Sequence, residues 1–208
     1  MATGSRESRP PGHVREPSIA SGLVRSLRGS LIEHGAWPAV YERFQASYPD
    51  VDAWLESASQ QDWVSMEGHM AMVEALGAVI GVEKLAELGS ARLRASLQGG
   101  FLAPIIRSWA RSFSEPGDLV RVLPHAWQAI ARGCGRAEEA GSGDGWIRYV
   151  IHEVPDSLIG RLAWHVLVEG FYRELVQMSG RDAEVSITAR SEDHSLVLDA
   201  RWDPVGTR

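Results

Sequence analysis

The sequence has one cysteine, no excess of basic residues and no long apolar run. Cys134 stands alone, so an intramolecular disulfide is impossible and a zinc site built on thiolates is excluded. Lysine and arginine total 21 against 27 acidic residues, and the net charge of −6 disfavours a nucleic-acid-binding surface, which needs clustered cations. No segment approaches the ~18 apolar residues of a membrane-spanning helix, and the N-terminus has no apolar signal region. We therefore expect a soluble, cytoplasmic protein whose partners include neither nucleic acid nor a membrane.

The sequence also lacks the short motifs that mark common catalytic sites. No Gly-x-Ser-x-Gly elbow is present, and the glycines of GSGDG at 141–145 are not followed by the lysine and hydroxyl residue of a phosphate-binding loop. Cys134 has no histidine or lysine beside it to lower its pKa. No two histidines have the His-x-x-x-His spacing of a zinc site. We expect a protein that is not an enzyme, with no catalytic residue, no metal ion and no cofactor.

The pattern along the chain predicts three segments. Residues 1–17 are rich in proline, serine and charge and have almost nothing to bury, which predicts a disordered arm. Residues 18–133 carry apolar residues at helical spacing between glycine and proline breaks, beginning with the fourth-position repeat from Ile19 to Leu31. We predict a helical N-terminal part there, followed at 134–203 by an α/β part of the same domain.

The C-terminal part shows strand patterns on both sides of one long helix. WIRYVIHEV, from Trp146, alternates as a strand does, and the preceding CGRAEEA is its candidate hairpin partner. Residues 157–179 are apolar around much of the helix circumference, which indicates deep burial. DAEVSITAR and HSLVLDARW then form two strands with a short polar turn. This order predicts an α+β fold, with the helical N-terminal part packed on a small antiparallel sheet with one long buried helix.

Four stretches of the chain share their order and spacing with a known family. They are SGLVRSLRGSLIEHG, WVSMEGHMAMVEALGAVIG, ARLRASLQGG and VEGFYRELVQMSGRDAEVSITARSEDHSLVLDARW. Over about residues 20–203 the chain resembles a protein family found mostly in myxobacteria, which is distantly similar to the heme-NO/oxygen-binding domains and to the 4-vinyl-reductase small-molecule-binding domains. The resemblance implies a helical N-terminal part that leans on an α/β C-terminal part.

The resemblance also implies where a heme would be held. The heme-binding relatives use a histidine on a helix before the sheet and a Tyr-x-Ser-x-Arg strand motif. In this sequence the motif would begin at Tyr149, and its other two positions are Ile151 and Glu153. A carboxylate repels a heme propionate where a guanidinium would pair with it. His125 stands in for the iron ligand but shares a helix face with Arg121, which predicts a surface position. We expect no heme ligation of this kind.

The remaining histidines differ in their sequence surroundings. His69 has apolar neighbours on its side of the helix, namely Met72, Val73 and Leu76. Burial there requires a neutral ring with a hydrogen-bond partner, so His69 is either a satisfied core histidine or a ligand contact. His165 falls between Arg161 and Glu169 on a polar stripe, which predicts a solvated face. His152 points away from the apolar face of its strand, which predicts an exposed or structural role.

Eight tryptophans are many for 208 residues. Each offers a large apolar body, so they serve either as core anchors or as walls of a ligand pocket. For a pocket, the candidate ligand-binding residues are His69, Trp109, Trp127, Tyr149 and Trp164.

Two functional hypotheses from different classes follow. The first is a non-catalytic signalling or protein-interaction module that acts on an unknown protein partner, with a homodimer as one arrangement. The alternative is a sensor that binds a small apolar ligand in a tryptophan-lined cavity between the two parts, without the heme ligation of the relatives.

Overall fold

The structure, a computed structural model, describes four stretches of the chain, residues 16–98, 104, 116–121 and 123–203. Most of the predicted arm, and the candidate Trp109, lie outside these residues. At the beginning of the described chain, the carbonyl oxygen of Pro17 accepts a hydrogen bond from the backbone N–H of Met66 at 2.9 Å. This bond ties the first described residues to the start of a helix.

Helices form most of the N-terminal part and strands most of the C-terminal part. The helices are α1 Ser21–Glu33, α2 Trp37–Ser47, α3 Val51–Gln60, α4 Met66–Ile80, α5 Leu85–Gln98, α6 Pro116–Arg121, α7 Leu123–Ile130 and α8 Leu162–Gln177. The strands are β1 Ser18–Ala20, β2 Trp63–Ser65, β3 Ala131–Arg132, β4 Arg136–Gly143, β5 Trp146–His152, β6 Ala183–Arg190 and β7 Ser195–Trp202. The predicted α+β class is confirmed. Within the described ranges, no helix has both the length and the apolar content needed to cross a bilayer.

The N-terminal part contains a small sheet that the sequence pattern does not predict. β1 pairs antiparallel with both β2 and β3, so that Ile19 lies opposite Val64 and Ala131. All three side chains are buried. The prediction of helix over the whole repeat from Ile19 to Leu31 is therefore wrong at its start, since α1 begins at Ser21. The apolar repeat at Ile19 reports burial correctly, but its strand partners are distant in sequence and leave no local signal.

The C-terminal part is an antiparallel sheet with the strand order β4-β5-β7-β6. The inward row of β5, formed by Ile147, Tyr149 and Ile151, is buried as its alternation predicts. CGRAEEA does supply the hairpin partner of this strand. The pairing continues beyond it to Gly143 through an irregularity between Glu139 and Gly141, so the glycine-rich residues 141–143 are also strand.

Helix α8 is the central helix of the molecule, as the sequence predicts. It packs against α5 on one side and against β6 on the other. It begins at Leu162, five residues later than predicted, because Gly160 adopts a left-handed backbone angle of φ = 80° that a helix cannot contain.

The polar stripe of α8 has a different role from the one predicted. His165 is only 6% exposed, and its Nε2 donates a hydrogen bond to the carbonyl oxygen of Leu158 at 3.2 Å. Its stripe neighbours also have protein partners: Arg161 pairs with Glu74 at 2.7 Å, and the Glu169 carboxylate accepts the backbone N–H of Ile187. The prediction of a solvated face at His165 is therefore wrong. Each polar residue of this stripe therefore has a protein partner outside the stripe.

Two glycines allow α5 and α8 to approach closely. A Cβ at Gly170 would collide with the backbone of Ala86, and a Cβ at Gly89 would collide with the carbonyl oxygen of Leu167. The hydroxyl of Ser90 donates to the carbonyl oxygen of Gly170 at 2.8 Å across the same contact. Backbone meets backbone here, so no larger side chain fits.

We predict that Gly170→Ala lowers the free energy of unfolding by at least about 1–3 kcal/mol, as overpacking does in a filled core. Gly29→Ala is the matched control, since no atom lies within 4 Å of its added Cβ. The control is expected to be neutral or stabilising by up to about 1 kcal/mol, because alanine favours helix over glycine. Urea melts of both variants measure the contrast, and equal effects would contradict the close contact.

Candidate functional site

A small cavity lies between the N-terminal helices and α8. Its volume is about 100 Å³. Residues of α1, α4, α5, α7 and α8, together with β1 and β3, line it. Most of its walls are apolar, and the larger of these side chains are Leu23, Leu27, Met66, Trp127, Trp164 and Phe171. The two parts of the fold therefore meet around an apolar space rather than a completely filled core.

Two tryptophans form one wall of this cavity. Trp127 on α7 and Trp164 on α8 are both buried, and their rings meet edge to face with centroids 5.6 Å apart. The Nε1–H of Trp127 donates to the carbonyl oxygen of Cys134 at 3.3 Å. This bond satisfies the one polar atom of the indole and fixes the ring at the cavity wall.

His69 on α4 places an unsatisfied imidazole at the cavity. Its side chain is 6% exposed, and Nδ1 has no hydrogen-bond partner among the described residues. Burial, and then the positive charge of Arg92, lower the pKa of His69 from 6.5 to about 3. The ring is therefore neutral at physiological pH. A buried polar atom without a partner costs about 1–3 kcal/mol, which a bound molecule could offset.

Arg92 on α5 is the second polar group at the cavity. Its Nη2 donates to the carbonyl oxygen of Leu23 at 3.1 Å. Burial lowers the pKa of Arg92 to about 10, so the guanidinium stays charged at neutral pH. The lining thus combines apolar side chains with the neutral imidazole of His69, the cation of Arg92 and the phenol of Tyr172.

The structure brings three of the five candidate residues together. His69, Trp127 and Trp164 line the cavity. Tyr149 is not part of the lining: it lies on the inward face of β5, where burial and then the charge of Glu139 raise its pKa to about 12. Trp109 lies outside the described residues.

Sequence reasoning missed Arg92 as a cavity residue. The signal was available in the helical spacing of α5, because Leu85, Gly89 and Arg92 follow one another at intervals of four and three on one stripe. Leu85 is fully buried, and both Gly89 and Arg92 line the cavity. A charged residue that continues an apolar stripe is the feature to look for.

The residues of this chain do not fit a heme. His125 is exposed on α7. Ile151 is buried in the sheet where the resemblance would require a serine, and Glu153 lies exposed just beyond the end of β5. A cavity of about 100 Å³ is also several times too small for a porphyrin. Among the described residues, no three His, Cys, Asp or Glu side chains come together as metal ligands either.

We predict that titration with hemin gives no one-to-one complex with a sharp Soret band, because His125 is exposed and the cavity lined by the described residues is smaller than a porphyrin. His69→Ala and His165→Ala are the controls, since these are the two buried histidines among the described residues. A stoichiometric complex that either substitution abolishes would contradict this reading of the interior.

We predict that His69 destabilises the fold as the pH falls. Its pKa is about 3 in the folded protein and near 6.5 in the unfolded chain, so the unfolded chain binds the proton first. Stability is therefore unaffected above pH 6.5 and decreases below it, by at most about 1.4 kcal/mol per pH unit. The measurement is the difference in urea stability between wild type and His69→Gln from pH 7.5 to 4, which removes contributions common to both. A difference that does not change with pH would contradict a neutral, buried His69.

Comparison with known proteins defines the fold but not the activity. No family model matches this sequence, and no curated protein matches it either. Among solved structures, the Fe(II) unliganded H-NOX protein from K. algicida has a TM-score of 0.62 at 6% identity, over 91% of this chain and 100% of that chain. A structure solved for the mechanism of H-NOX activation gives a TM-score of 0.57 at 10% identity, over 91% and 100%. A variant of Tt H-NOX gives 0.54 at 10% identity, over 91% and 98%. The chain therefore has an H-NOX-like fold.

Proposed function

We propose that this chain is a sensor domain that binds a small apolar molecule in the cavity, without heme, and signals its presence to a protein partner. The observation that carries the proposal is the apolar cavity with His69 in its lining, a residue whose buried Nδ1 has no hydrogen-bond partner in the described part of the chain. The H-NOX-like fold supports a sensing role. No catalytic step is part of the proposal.

The size of the cavity limits the ligand. A dry apolar cavity of ~150 Å³ in another protein takes up benzene or xenon. A cavity of about 100 Å³ suits a molecule of roughly half a dozen non-hydrogen atoms. Apolar walls favour a hydrocarbon body, and His69 favours one polar group that can share a hydrogen bond with it.

The position of the cavity suggests how occupancy is passed on. Ile130 and Ala131 line it at the junction where α7 ends and β3 begins. The chain then reaches Cys134, whose carbonyl oxygen is held by Trp127, and enters β4. A ligand that presses on Ala131 or Trp127 acts directly on the connection between the helical part and the sheet. The change in the sheet would then alter the surface that contacts the protein partner. In this proposal the protein-interaction role is the output of the sensor.

We predict that 1-pentanol, a neutral probe of suitable size, binds saturably and changes the fluorescence of the cavity tryptophans. Ala131→Leu places three extra carbon atoms at the cavity wall and is expected to weaken this binding at least about tenfold by occupying the space. Ala129→Leu is the matched control, because Ala129 is exposed on the adjacent helix end.

The measurement is tryptophan fluorescence, with native mass spectrometry of the purified protein to detect a retained ligand. Thermal melts of both variants verify that they fold. Absence of saturable binding to wild type, or equal binding to wild type and Ala131→Leu, would contradict a ligand site in this cavity.

A further inference from the structure

We infer that the ligand is a small neutral carbonyl compound, such as a short ketone or ester, whose oxygen accepts a hydrogen bond from the hydroxyl of Tyr172. This inference rests on the proposed function and gives the chemical class of its ligand. Arg92 is not assigned to the ligand, because its guanidinium has protein contacts of its own, which include the bond from Nη2 to the carbonyl oxygen of Leu23.

Tyr172 on α8 brings a hydroxyl to the cavity. The residue lines the cavity and is only 5% exposed, and its ring meets that of Phe171 edge to face with centroids 5.7 Å apart. Burial raises the pKa of Tyr172 above its usual value of 10, and no hydrogen bond contributes to that change. The hydroxyl therefore keeps its proton at physiological pH and can donate a hydrogen bond to a ligand.

Two further polar atoms of the lining have no hydrogen-bond partner among the described residues, namely Nε1 of Trp164 and Nε2 of His69. Nδ1 of His69 is fully enclosed by the protein, whereas these two atoms and the Tyr172 hydroxyl are not. All three residues line the cavity and are at most 6% exposed. Each of the three atoms therefore keeps surface that a molecule in the cavity can reach.

These atoms offer donors to a ligand. The indole N–H of Trp164 can only donate. The neutral imidazole of His69 has one N–H, and a proton on the enclosed Nδ1 would be a buried donor without an acceptor, which native structures rarely contain. The proton is therefore on Nε2, where it is available to the ligand.

A carbonyl oxygen matches such a lining better than a hydroxyl does. It has two lone pairs and no proton, so it can accept from Tyr172 and from a second donor without an unsatisfied polar atom of its own. An alcohol brings an additional O–H, and a buried donor without an acceptor weakens binding. The apolar walls, among them Leu23 and Leu27, favour a hydrocarbon for the rest of the molecule.

Two probes with the same carbon skeleton test the inference on the full chain at pH 7. They are 2-pentanone and 2-pentanol, both of about the size that the cavity suits. Titrations followed by the NMR signals of each probe give its affinity without interference from the ketone chromophore. We expect 2-pentanone to bind at least about fivefold more tightly than 2-pentanol, because only the alcohol buries an extra donor.

Two tyrosine variants locate the source of this preference. Tyr172→Phe removes only the hydroxyl, and it should weaken binding of 2-pentanone about fivefold or more and remove the preference over 2-pentanol. Tyr149→Phe is the matched control, because Tyr149 is equally buried but does not line the cavity. It should leave both affinities unchanged.

The outcomes separate this inference from the proposed function. If 2-pentanol binds wild type as tightly as 2-pentanone does, the ligand class is wrong while the sensor proposal stands. If neither probe binds, both fail. If the preference survives in Tyr172→Phe, or is lost equally in Tyr149→Phe, then Tyr172 is not its source and the inference is overturned. If Tyr172→Phe does not fold, the order of the two probes on wild type still decides.

Discussion

Helices α5 and α8 approach closely because glycines, and not residues with larger side chains, lie at their contact. At Gly89 and Gly170 each helix meets backbone of the other, and Ser90 adds a hydrogen bond across the contact. Because their backbones already meet, the two helices cannot move closer together to fill the space beside the contact. The cavity lies there, with Gly89 and Arg92 from α5 on one side and Leu167 from α8 on the other. The close contact between the two helices therefore borders the apolar space.

Polar groups at this cavity run against the general preference for filled, satisfied cores. Among the residues that the structure describes, the buried Nδ1 of His69 has no hydrogen-bond partner. Such departures are expected mainly where function requires them, since each costs stability that the rest of the fold must offset. His165 and Glu169, in contrast, have hydrogen-bond partners in Leu158 and Ile187. This contrast is the reason that we propose His69, and not His165, as a ligand contact.

The sequence predicts local elements better than the contacts between them. The start of α4 after Ser65, which accepts the N–H of Glu67, and its end at Gly81 follow from local rules. The alternation of β5 correctly gave its buried face. The pairing of β1 with two distant strands could not be read from a period, nor could the burial of His165, because its polar neighbours find protein partners far away in the chain. Arg92 was overlooked because a charge is ordinarily assigned to a solvated face.

The proposed function requires an accessible apolar cavity bounded by His69, Trp127 and Trp164. Crystals of the protein held under xenon pressure test this directly, since xenon enters dry apolar cavities of comparable size. The account predicts a xenon peak in contact with these three side chains. A structure in which side chains fill this space, or in which xenon binds only elsewhere, would contradict it.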